Sequence, residues 1–226
     1  MENKYSCHNM TIRTEEELHA RLDNELAWRK HELTYIKSLI DTSDRSVGRC
    51  NLRIGSAFLY AHWEGYIKFA ARHYVTFLKN QNLKYSDLSD NFVTLALKTD
   101  FISCQQSRRS INHHAIVNKI LNNFNDSACI PSEDTAIEAE SNMNYMVLRN
   151  IVFSIGLDLS KYELKKQLID RTLVDTRNHI THGEERGIDK ESYDMLHDTI
   201  ISLLDDFHMQ ILNAVQNKSY LRKKNS

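Results

Sequence analysis

One proline and six glycines in 226 residues leave little to interrupt a helix. Proline removes a backbone donor and clashes inside a helix, and glycine costs backbone entropy there, so scarcity of both favours long helical runs. An all-α chain is expected. Hydrophobic residues make up 41 % of it at a mean hydropathy of −0.51, the balance that amphipathic helices around a shared core require.

The first run opens on Thr14 followed by Glu15, Glu16 and Glu17, an N-cap with a capping-box glutamate. Leu18, Leu22, Leu26, Leu33, Ile36 and Ile40 recur at helical spacing, which predicts one helix over 14–41. Asp41–Asp44 is a polar break able to cap a second helix over about 44–80. Ile54, Ala57, Phe58, Ala61, Tyr66, Phe69 and Val75 surround that helix, so it is expected to be central and most buried. Gly65 within it implies a close helix contact, and a buried Glu64 implies a partner.

Residues 81–141 are less regular and read as a partly helical insertion between bundle halves, with short helices near 92–97 and 108–124 and a mobile loop at 125–141. Helices over 144–155, 160–182 and 190–216 follow, the 160–182 run turning Leu164, Leu168, Ile169, Leu173 and Val174 inward. The expected architecture is an up-and-down helical bundle in a single domain over 1–217. A solvated basic tail, 218–226, carries Lys218, Arg222, Lys223 and Lys224.

A formal charge of −1 and a pI near 6.8 exclude a generally basic nucleic-acid coat, so any such site must be local. Cys7, Cys50, Cys104 and Cys129 are too dispersed for a zinc ribbon or a disulfide framework. Met1–Met10 lacks an apolar leader, and no run of 18 apolar residues occurs. A cytoplasmic protein without membrane contact is expected. No glycine-rich phosphate loop is present, and His179, His182 and Glu184 lack a zinc-binding pattern, so no cofactor or metal is expected.

The candidate chemistry lies in Arg177-Asn178-His179-Ile180-Thr181-His182-Gly183. Metal-free RNA cleavage needs a group that moves protons near neutral pH and one that neutralises a phosphate. Histidine and arginine supply them. His182 is the expected general acid or base, Arg177 the stabiliser of phosphorane charge, and Asn178, sharing a face with His182, a positioning group. The bare spacing carries little weight. With 14 arginines and 11 histidines, chance gives about 0.7 such pairs, and Arg108–His113 and Arg109–His114 repeat it without a helix-end glycine. A histidine followed by glycine is also an ordinary helix C-terminus. Arg177 and His182 stand about 140° apart on an ideal helix, so one phosphate is reached by both through arginine's length, a loosened last turn, or two chains side by side.

The wider pattern resembles the HEPN superfamily (higher eukaryote and prokaryote nucleotide-binding domains). Its nucleases carry Arg-x4–6-His, often as R-N-x-x-A-H-G; here Thr181 stands where alanine is common. Ala61-His62-Trp63-Glu64-Gly65-Tyr66-Ile67-Lys68 resembles the A-x-W-E-G-[FY]-x-K signature of the MAE-type HEPN-like nucleases, as do Asn142–Tyr145 and Gly156–Asp158. The resemblance implies a homodimer with both Arg177–His182 segments at its seam. It implies a metal-independent endoribonuclease of bacterial defence or toxin–antitoxin type, acting on RNA beside a cognate antitoxin or neighbouring defence protein. Glu64 and Thr181 take auxiliary places, Glu64 orienting Arg177 or His182, with a plain ion pair as the simpler account of that glutamate. Two alternatives are a catalytically inactive HEPN-like module that dimerises and binds RNA or a partner, and a purely structural helical adaptor.

Overall fold

A computed structural model describes residues 12–106, 109–137 and 142–223. Its helices are α1 (Glu15–Asp41), α2 (Arg45–Lys79), α3 (Asp90–Ala96), α4 (Lys98–Gln106), α5 (Ser110–Asn122), α6 (Glu133–Ala136), α7 (Tyr145–Ser154), α8 (Ser160–Glu163), α9 (Asp175–Thr181) and α10 (Lys190–Gln216). Two isolated antiparallel bridges, Lys84 with Ser127 and Leu88 with Leu221, are the extended pairings among the described residues. The protein is all-α, as the shortage of breakers requires. No described helix is long and apolar enough to cross a membrane.

The expected capping box forms at Thr14. Its hydroxyl accepts from the Glu17 N–H at 3.2 Å, and the Glu17 carboxylate accepts from the Thr14 N–H at 3.2 Å. From there Leu18, Leu22, Leu26 and Leu33 descend fully into the core. α2 is the hub, packed by α1, α10, α9 and α6. Trp63, Tyr66, Ile67, Ala70 and Tyr74 on it are fully buried. Gly65 does mark a close approach: a Cβ there would lie 2.6 Å from Arg29 Nη1 of α1. Residues 85–97 share this core through Tyr85, Leu88, Phe92 and Leu95, whereas α4 and α5 pack on each other, with Ile116 the buried member of α5.

Three expectations change. Ile54 and Phe58 are exposed, because α1 and α9 leave one side of α2's first half open. The 160–182 run is broken: a turn at 164–165 leaves Leu164 85 % exposed, and a π-helical stretch, Leu168–Val174, precedes α9. The wider π turn shifts the phase of everything after it. The described part of the tail is docked as well as basic, with Tyr220 buried and the Arg222 N–H donating to Asp87 O at 2.8 Å.

Inside the bundle, Tyr66 and His208 meet at 2.6 Å (hydroxyl to Nδ1), and His208 Nε2 lies 3.0 Å from Asp23 Oδ1. A neutral ring satisfies both contacts, accepting from Tyr66 at Nδ1 and donating to Asp23 from Nε2. Burial holds His208 below the ordinary histidine value, assisted by His19 and opposed by Asp23 and Asp205. The folded protein thus binds fewer protons here than the unfolded chain. Its stability is complete above about pH 6.5 and declines as pH falls through that value. The unfolding midpoint should drop between pH 7.5 and 5.5, by less in His208→Gln, when both are followed by circular dichroism.

Candidate active site

α9 closes on the expected motif, and the turn after it is locally encoded. His182 is the C-cap, and Gly183 takes φ +74°, the left-handed conformation that glycine adopts most cheaply. The Glu184 N–H donates to His179 O at 2.9 Å and the Gly183 N–H to Ile180 O at 3.1 Å, which is a Schellman end. Arg53 of α2 fastens the following turn, donating to Glu184 O at 2.6 Å, while Arg49 donates to Glu185 O at 3.1 Å. The His182 side chain is exposed at this fastened helix end.

Arg177 points the other way, into the molecule. Its guanidinium carbon lies 4.5 Å from the centre of the Tyr60 ring. Nη1 donates to Asn142 Oδ1 at 2.7 Å and to Asn178 Oδ1 at 2.9 Å. Asn178 thus serves Arg177 through its side chain and His182 only through its backbone carbonyl, which accepts the His182 N–H at 3.0 Å. The Thr181 hydroxyl donates to that same carbonyl at 3.0 Å.

Glu64 bonds to Lys68 at 2.5 Å and makes no hydrogen bond or ion pair with Arg177 or His182. Its carboxylate acts on Tyr60 instead. Burial, first, and then the charge of Glu64 push the Tyr60 phenol up to about 12, against the Met143 N–H and Arg177, which lower it. Tyr60 therefore stays a neutral phenol, its oxygen accepting from the Met143 N–H at 2.8 Å. Tyr60 and Asn142 are site residues that the motif alone does not reveal. Asn142 opens the Asn142–Tyr145 segment already singled out, whereas Tyr60 stands just before Ala61–Lys68, one turn ahead of Glu64.

His179 pairs with Glu184 at 2.6 Å. Among the described residues no group of three or more His, Cys, Asp or Glu is arranged to hold a metal ion. His113 and His114 are exposed on α5, far in sequence and packing from this site; Arg108 lies outside the described residues, as does Met1–Met10.

Helices alone, with an Arg-x4-His segment closing one of them against a long central helix, define a HEPN-type domain. The RiboL-PSP-HEPN family model matches residues 24–213, most of the chain, and the chain belongs to that family. Membership points to RNA cleavage or nucleotide binding as the coarse function. No curated protein and no solved structure matches the chain.

The helix end is testable by itself. A Cβ at Gly183 would meet nothing within 4 Å, so Gly183→Ala adds backbone strain without a clash. It should cost about 1 kcal/mol, a fall of about 2–4 °C in Tm for a chain of this size, measured by calorimetry.

Proposed function

We propose that the protein is a metal-independent endoribonuclease acting as a homodimer, with Arg177 and His182 at the seam. The observation that carries this reading is the company Arg177 keeps. It is surrounded by an aromatic ring and two neutral amide oxygens, and the nearest carboxylate on α2, Glu64, is committed to Lys68. Arg177 is half-buried, and a structural arginine in such a place is commonly paired with a carboxylate. One held by neutral acceptors keeps its charge for an incoming anion, and the guanidinium fork fits phosphate.

Within one chain Arg177 turns inward while His182 faces solvent, so the pair is not assembled on one phosphate. A second copy supplies what is missing. On the α1–α2 hairpin, Trp28, Tyr35 and Leu39 of α1 and Val47, Ile54 and Phe58 of α2 are each 42–60 % exposed. Such a contiguous apolar face is what an isologous dimer covers. The resemblance of Ala61–Lys68 to the MAE-type branch supports the same reading, as does the setting it implies, a toxin or defence effector with a cognate partner.

In the reaction, the 2′-hydroxyl oxygen attacks the adjacent phosphorus and loses its proton to a base. The P–O5′ bond breaks as that oxygen takes a proton, leaving a 2′,3′-cyclic phosphate. His182 handles one of these protons, Arg177 offsets charge on the phosphorane, and Asn178 and Asn142 aim the guanidinium.

Purified protein should cleave total RNA in EDTA with cyclic-phosphate ends. Arg177→Ala and His182→Ala should each lose roughly a hundredfold or more. Equal cleavage by all three proteins would sink the assignment, and RNA bound but never cut would favour the inactive dimeric module. Phe58→Asp should run as a monomer on size exclusion and lose cleavage; an active monomer would refute the seam. If Arg177 and His182 act across the seam, mixing the two dead variants should restore about a quarter of wild-type activity, since half the dimers are mixed and one of their two sites is complete. No restoration would place the pair within one chain.

A further inference from the structure

The apolar face just described does not end at Phe58. On α2, Val47, Ile54, Phe58, Gly65, Arg72 and Thr76 follow one another at steps of seven and four, which puts them on one side of the helix. Arg21, Trp28, Tyr35 and Leu39 do the same on α1. The two stripes run side by side in opposite directions, with Trp28 against His62 at a ring separation of 5.3 Å. Their first half is apolar. Beyond Gly65 the character changes, and a cleft of roughly 530 Å³ opens, lined by Arg21, Arg29, Lys68, Arg72 and His73, with Glu133 and Asp134 of α6 on its far wall.

The cations in this cleft are unevenly matched. Arg29 is bound to Glu25 at 2.5 Å, and Lys68 to Glu64 at 2.5 Å. Arg72 reaches Asp134 with one prong, Nη2 to Oδ1 at 3.0 Å, and its Nε is buried without an acceptor. Arg21 makes no hydrogen bond or ion pair among the described residues, and its charge bears on His73. A buried guanidinium N–H without an acceptor is costly and calls for an oxygen that the protein does not supply. Asp134 is 78 % exposed, so its pairing with Arg72 is one that water and salt already weaken. Phe69 and His73 are stacked at 3.8 Å on the same wall and add an aromatic surface. Guanidinium groups interleaved with aromatic rings are what single-stranded nucleic acid uses, the cations following phosphates and the rings receiving bases. The cleft lies apart from the candidate active site: Arg72 stands about 18 Å along α2 from Tyr60, the residue beneath Arg177, and about 120° round the helix from it.

We propose that this cleft seats phosphates of the single-stranded RNA on which the protein acts, and that the Asp134 carboxylate holds the place of one phosphate until the strand displaces it. The identity of the strand rests on the ribonuclease reading; the anion-binding chemistry of Arg21 and Arg72 does not. A protein whose overall charge is −1 thereby concentrates its attraction for RNA in one groove. The α6 acids set a threshold that a single anion meets poorly and a chain of phosphates meets well.

The test is the equilibrium binding of a 5′-labelled single-stranded oligoribonucleotide, read by fluorescence anisotropy, to the full chain carrying His182→Ala so that cleavage does not intervene. Adding Arg21→Ala and Arg72→Ala together should weaken binding about tenfold at 0.1 M salt. The slope of log affinity against log salt should shrink by about 1.4, the release expected for two phosphate contacts. Arg21→Ala alone, which breaks no hydrogen bond or ion pair among the described residues, should give about half that change in slope. Asp134→Asn should tighten binding about twofold. Affinity and slope unchanged in Arg21→Ala, or no binding by the parent, would overturn the cleft. Binding indifferent to Arg21 and Arg72, alongside cleavage lost in Arg177→Ala, would reject the cleft and leave the ribonuclease standing. RNA held through Arg21 but never cut would do the reverse.

Discussion

Everything else in the molecule depends on how α2 divides its circumference. A helix of 35 residues with so many large apolar side chains must be wrapped, and α1, α10 and α9 wrap it on separate sides. Trp63, Tyr66, Ile67 and Tyr74 go to the core. Tyr60 and Glu64 are left facing α9, so the same burial that stabilises the bundle also sets the floor of the site. The open remainder is a single stripe, apolar at one end and cationic at the other. Fold, proposed seam and proposed groove are three consequences of one helix having more apolar surface than its own chain covers.

The site itself is an exercise in withholding a carboxylate. Glu64 lies close enough to raise the Tyr60 phenol, yet Lys68, four residues on, takes its charge. Were Lys68 absent, the glutamate would be free to turn to the next cation, Arg177, and a salt bridge there would occupy the fork that we propose meets phosphate. Tyr60 keeps the two apart. Its ring attracts the guanidinium through the π face, and its hydroxyl is tied to the backbone at Met143. That Met143 follows Asn142, which accepts from Arg177, means that one short segment before α7 positions both the ring and the guanidinium.

Much of this was legible from residues alone because local chemistry encodes it. The Thr14 capping box, the termini of α1, α2 and α10, the Gly183 helix end and the reason for Gly65 all follow from rules that act within a few residues or across one contact. What was not legible depends on what packs where. Ile54 and Phe58 are as apolar as their buried neighbours, and only the absence of a covering helix leaves them exposed. Leu164 has the right spacing for a continuous helix, but the turn at 164–165 and the π stretch after it reset the phase. Tyr60 and Asn142 carry no motif that names a role, since a tyrosine beneath an arginine is a property of the pair of helices and not of either sequence. The short helix α4 was hidden by a polar composition that offers no apolar stripe, consistent with its having no buried residue.

Five residues of helix put two side chains about 140° apart, and the structure uses that angle instead of relaxing it. Arg177 turns inward to a half-buried place where it meets neutral acceptors; His182 goes to the rim, where Gly183 ends the helix and Arg49 and Arg53 pin the turn. A shorter spacing of three or four would bring both to one face and expose both, or bury both. In a homodimer the divergent arrangement has a further consequence. In the homodimer we propose, each helix end would present its exposed histidine toward the partner while its half-buried arginine stays against its own α2, so neither half would be a complete ribonuclease until the apolar stripe on α1 and α2 is covered. On that proposal, coupling catalysis to the burial of the stripe would make association itself the condition for activity.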